Sequence, residues 1–70
     1  MKYRLKFVSK ANSENTGYFV RKRKTGFTAC SLLYPDMARI LTKETLADVM
    51  VFLKEQGELD YYIFETEVVI

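Results

Sequence analysis

The chain has 70 residues, 49% of them apolar and 29% charged, which suits one small domain over residues 1–70 and leaves no room for a second core. There is no histidine, the commonest general base and metal ligand, and the single Cys30 excludes an internal disulfide. No apolar run approaches the roughly 20 residues of a membrane span and no leader-type segment opens the chain, so a cytoplasmic protein with no membrane contact is expected.

Taken in chain order, Lys2 to Val8 alternates, with Tyr3, Leu5 and Phe7 on one side and Lys2, Arg4 and Lys6 on the other. A period of two residues is the mark of a half-buried strand. Ser9 to Gly17 is polar and reads as a loop. Tyr18 to Lys24 predicts a second strand, and Phe27 to Leu33 a third, joined at Thr25-Gly26 into a hairpin over residues 18–27. Pro35 cannot donate to a sheet ladder and marks a turn. Met37 to Leu41 is either a short fourth strand or an extended approach, with Ala38 and Ile40 on one side.

Thr42 to Gly57 is the strongest signal. Thr42 can accept a hydrogen bond from a free amide of the first helical turn. Leu41 and Leu46 have the spacing of a hydrophobic staple, Glu44 complements the helix dipole, and Gly57 can take the left-handed conformation that ends a helix. Leu46, Val49, Met50 and Leu53 form one stripe, which Val51 and Phe52 are expected to widen. After Glu58-Leu59-Asp60, residues Tyr61 to Ile70 predict a long closing strand.

The order β-β-β-(β)-α-β defines an α+β fold: an antiparallel sheet of four to five strands with one helix packed on one face. No linker, repeat or low-complexity tract divides it. Glu65 and Glu67 match Lys2, Arg4 and Lys6 in sign and spacing, so the first and last strands should be neighbours with these charges facing solvent. A core this small gains from burying more surface, and a homodimer is one way to do so.

Net charge is +2, unevenly spread. Residues 1–35 hold eight basic side chains and one acidic (+7), and residues 36–70 hold three basic and eight acidic (−5). The carboxylate pairs Glu44/Asp48 and Glu65/Glu67 read as a solvated helix face and as salt-bridge partners. No zinc or EF-hand spacing and no glycine-rich phosphate loop is present. No catalytic, cofactor-binding or metal-binding residue is therefore assigned, and the expectation is a non-enzymatic protein.

The conspicuous polar feature is Tyr18-Phe19-Val20-Arg21-Lys22-Arg23-Lys24, where four consecutive cations follow two aromatic residues. Strand alternation puts Arg21 and Arg23 on one face, Lys22 and Lys24 on the other. The leading expectation is a protein-binding surface made of Arg21, Lys22, Arg23 and Lys24 with Tyr18 as aromatic anchor. The alternative is nucleic-acid binding by the same hairpin, cations at phosphates and Tyr18 or Phe19 stacked on bases.

The stretch Ala38-Arg39-Ile40-Leu41-Thr42-Lys43-Glu44-Thr45-Leu46-Ala47 leads a short strand through Thr-Lys-Glu into an amphipathic helix, and a closing strand follows. Over residues 38–69 this arrangement resembles many small phage- or prophage-encoded proteins of unknown function. The Glu-Glu-Ala lead-in usual there is replaced by Glu44-Thr45-Leu46. The resemblance implies an accessory phage protein that binds a host or phage macromolecule, and it transfers no functional residues.

Overall fold

The computed structural model describes all 70 residues. Its strands are β1 (Tyr3–Ser9), β2 (Thr16–Lys22), β3 (Phe27–Cys30) and β4 (Tyr62–Val68), and its one α-helix is α1 (Lys43–Glu55). The strands form one sheet in the order β3-β2-β1-β4, every neighbouring pair antiparallel. The helix lies on one face. Leu5 and Phe19 from the sheet, Leu41, and Val49 and Leu53 from the helix make the buried core. No helix is long and apolar enough to cross a membrane.

Alternation in β1 sends Leu5 and Phe7 into that core and leaves Arg4 and Lys6 on the opposite face. Lys6 pairs with Glu65 and Arg4 with Glu67, so the first and last strands are neighbours, as their charges require. Two strands stop early. Phe27–Cys30 does not reach Leu33, because Cys30 is its last partner to β2 and the Ser31 hydroxyl then accepts from the Leu33 amide at 3.1 Å, which turns the chain. Likewise β2 ends at Lys22, and Arg23 and Lys24 belong to a turn closed by the Arg23 amide on the Gly26 carbonyl at 3.1 Å, with Gly26 at φ +75°.

No strand forms over residues 37–41. Pro35–Met37 is a 3-10 turn, and one isolated bridge joins Leu41 to Tyr3. Nor do Ala38 and Ile40 share a side: Ala38 and Leu41 are buried and Ile40 is exposed, a step of three rather than two. The cause is a bulge in β2. Between Phe19 and Arg21 the register shifts against β3, and β2 is paired to β1 only over Thr16–Tyr18. Residues 39–41 fill the place it leaves beside β1. The Arg39 amide donates to the Phe19 carbonyl at 3.2 Å, and Tyr3 and Leu41 exchange two backbone bonds of 2.8 Å.

Thr42 caps α1. Its hydroxyl accepts from the Thr45 amide at 3.3 Å, while the Thr45 hydroxyl accepts from the Thr42 amide at 2.8 Å. Gly57, at φ +76°, turns the chain into a 3-10 segment, Glu58–Asp60. Val49 and Leu53 face the core, with Leu46, Met50 and Phe52 packed against it. Val51 does not widen the stripe and stays 56% exposed. It lies two residues from both Val49 and Leu53, about 200° around the axis from each. Thr42→Ala leaves the Thr45 amide without its cap and should cost about 1 kcal/mol. In a domain of this size that is a fall of about 4–8 °C in melting temperature, readable by circular dichroism.

Candidate functional site

The β2–β3 hairpin carries the four cations singled out by the sequence, and all four are exposed. The bulge decides where they point. Lys22 pairs with Phe27, whose ring packs toward the core, so Lys22 lies on the helix side, its Nζ 5.5 Å from the Phe52 ring centroid. Arg21, one residue earlier, is on the open face. Arg23 does not share that face as alternation would have it. It sits in the turn and lines a concavity on the helix side with Phe7, Phe27, Tyr62 and Glu58. Alternation fails there because the chain has left the strand.

None of these cations is ion-paired; the one salt bridge in the molecule joins Arg4 Nη1 to Glu67 Oε1 at 3.3 Å. A fifth cation belongs with them. Backbone pairing to Phe19 brings exposed Arg39 beside β2, where Arg39 and Lys22 line a small hollow with Thr45, Asp48 and Val49. Nothing local marks Arg39, since its position depends on the place beside β1 that β2 vacates.

Tyr18 is not a free anchor. It is 7% exposed, and its hydroxyl lies 3.1 Å from each carboxylate oxygen of Glu67. The Arg4 guanidinium carbon is 5.9 Å from its ring centroid. Tyr18 pairs with Lys6 on β1, so its side chain reaches across the open face over Arg4 to β4. Phe19 is 0% exposed. Both rings expected to stack on bases are thus inside the protein.

Burial, then the hydrogen bond to Glu67 and its charge, push the Tyr18 phenol above its ordinary value, with Arg4 opposing. Above about pH 10 the unfolded chain loses this proton before the folded one, so stability present below that pH falls as pH rises through the folded value. Melting temperatures taken from about pH 8 upward should show a steeper alkaline fall in the native chain than in Tyr18→Phe. Identical profiles would contradict the burial of the phenol.

The helix-side concavity has a volume of about 360 Å³. Phe7, Phe27 and Tyr62 form its floor, and Asn15, Arg23 and Glu58 stand around it. Gly17 shapes that floor, because a Cβ there would lie 2.5 Å from the Cys30 carbonyl oxygen and 2.9 Å from Phe7 Cζ. Only glycine lets the Phe7 ring lie across β2. A neighbouring hollow of about 420 Å³, lined by Ser9, Lys10, Ala11, Asp60 and Tyr61, shares Glu58 and Tyr62 with it. Phe27 and Tyr62 read in the sequence as ordinary strand residues, and only in the folded chain do their rings meet, with centroids 5.8 Å apart, although β3 and β4 are opposite edges of the sheet.

The fold is thus a two-layer α+β arrangement, one helix on a four-stranded antiparallel sheet, with an unpaired cationic hairpin at one end. Comparison with protein-family models, curated proteins and solved structures finds no match to this chain.

Proposed function

We propose that this chain is a small non-enzymatic binding module that docks an acidic protein surface through Arg21, Lys22, Arg23 and Lys24, with Arg39 extending the patch. One observation carries this: four consecutive cations are all exposed on one hairpin, and none of them is ion-paired. Each exposed pair formed with a partner is worth about 0.2–1 kcal/mol, so several acting together steer and orient a complex.

A nucleic-acid partner is supported less well. The hairpin cations could meet phosphates, but burial of Tyr18 and Phe19 removes the stacking platform that base binding would use. A cytoplasmic setting, in which Cys30 stays a free thiol, and an accessory phage role belong to the same proposal, since both suit a protein that works by presenting a surface.

Fluorescence anisotropy with a labelled glutamate-rich peptide and a single-stranded oligonucleotide of equal net charge tests the choice. Preferential binding of the peptide is expected. Tighter binding of the oligonucleotide, with a steep loss on adding salt, would assign the hairpin to nucleic acid instead. Binding of neither would end the proposal.

A further inference from the structure

The two edges of the sheet are not alike. We propose that the outer edge of β4 takes up an extended segment of another protein as an added strand, one in which lysine or arginine alternates with apolar residues. This surface lies at the opposite edge of the sheet from β3 and its hairpin, so it stands apart from the acidic-partner reading.

The backbone sets the kind of occupant. The Lys10 amide donates to the Tyr61 carbonyl at 2.9 Å and the Val69 amide to the Lys2 carbonyl at 2.8 Å, and the register between them is unbroken. Bonding residues alternate along an antiparallel ladder, so Tyr61, Ile63, Glu65, Glu67 and Val69 bond β1. Tyr62, Phe64, Thr66 and Val68 then aim their amides and carbonyls away from it, where no other strand or loop meets them. Edges are ordinarily blunted by shortness, a bulge, proline or lysine. β3 is four residues long and sits beside the bulge in β2. β4 has seven residues and none of those devices.

The side chains set the sequence of the occupant. Ile63, Glu65 and Glu67 lie on the open face, where Glu67 meets Arg4 and Tyr18. Tyr62 and Phe64 lie on the helix side, and Thr66 and Val68 follow them by alternation. Residues 55–70 hold Glu55, Glu58, Asp60, Glu65 and Glu67 and no lysine or arginine. Glu65 is exposed and makes no ion pair, although Lys6 stands opposite it on β1. A strand laid antiparallel along this edge sets every second side chain beside Ile63, Glu65 and Glu67, and the others beside Tyr62, Phe64, Thr66 and Val68. Cations suit the first row and apolar groups the second, where Val68 is 54% exposed. β1, which β4 binds on its inner edge, has the same pattern: Arg4 and Lys6 alternate with Leu5 and Phe7.

A second copy of this chain fits less well. In the one register that pairs all seven residues of β4 with their own image, Glu65 falls directly opposite Glu65. Like charges in that position disfavour pairing.

The test uses the full chain and labelled peptides. Ser-Val-Lys-Val-Arg-Val-Ser should bind about tenfold or more tightly than Ser-Val-Glu-Val-Glu-Val-Ser. N-methylation of its valines, whose amides face β4, should weaken binding by about tenfold or more, and N-methylation at Lys and Arg, whose amides face water, should change it little. Amide exchange at Phe64, Thr66 and Val68 should slow when the cationic peptide binds. Thr66→Pro removes an outward amide and no internal hydrogen bond, so it should melt near the native temperature and lose the peptide. Equal binding of the valine-methylated peptide would reduce the contact to charge and overturn strand addition. Equal binding of the glutamate peptide would overturn the proposed sequence of the occupant, and no binding of the cationic peptide would end the proposal while leaving the hairpin reading intact. A native chain that sediments as a dimer, with Thr66→Pro a monomer, would give the edge to a second copy and overturn the proposal.

Discussion

Phe19→Ala should remove about half of the chain's folding free energy. Phe19 is 0% exposed, packs among Leu5, Leu41, Val49 and Leu53, and has its ring centroid 5.9 Å from that of Phe27. Truncating a buried phenylalanine costs about 3–5 kcal/mol, from lost transfer energy and the cavity left behind. A chain of this length has about 4–10 kcal/mol in all. The damage is not confined to the core. The Phe19 carbonyl accepts the Arg39 amide, so the ring's position helps hold residues 39–41 beside β1 and bring Arg39 to the cationic patch. Urea unfolding followed by circular dichroism measures the loss. A change below about 1 kcal/mol would mean that the ring does not fill the space between sheet and helix.

The second large effect is on binding. A chain carrying Arg21→Glu, Arg23→Glu and Lys24→Glu together should bind the glutamate-rich peptide about 100-fold more weakly, close to 1 kcal/mol for each reversed charge. Its stability should stay within about 0.5 kcal/mol of the native value, because the three side chains are exposed and make no ion pair. Lys22 is left in place because its ammonium lies over the Phe52 ring, and replacing it would change stability and binding together. Reversing Lys2, Lys43 and Lys54 supplies the control, since all three are exposed and the change in net charge is the same. If both triple variants weaken binding equally, overall charge is responsible and the hairpin is not the site. If neither does, acidic docking is wrong.

Much of the fold is legible along the chain because its signals are local. Thr42 as cap and Gly57 as terminator bound the helix through hydrogen bonds and a backbone angle set within a turn of each residue. The two-residue period of β1 needs only a neighbouring sheet face to become a buried row. Even the pairing of β1 with β4 is readable, since Arg4 and Lys6 against Glu67 and Glu65 match sign for sign in one register.

The candidate site is less legible because its parts meet only after folding. Tyr18 beside four cations reads as an exposed anchor, and only Glu67, 49 residues away, together with Arg4, draws it onto the sheet. The bulge after Phe19 sends Lys22 toward the helix and opens the place that brings in Arg39. The hollow beside Arg23 needs Phe7, Phe27 and Tyr62 from three strands. By itself, then, the sequence determined the class of fold, the helix limits and the presence of a basic hairpin, since period, capping and charge sign act between near neighbours. Tertiary structure alone decided which rings stay uncovered and where each cation points, because register shifts and long-range packing depend on partners far along the chain.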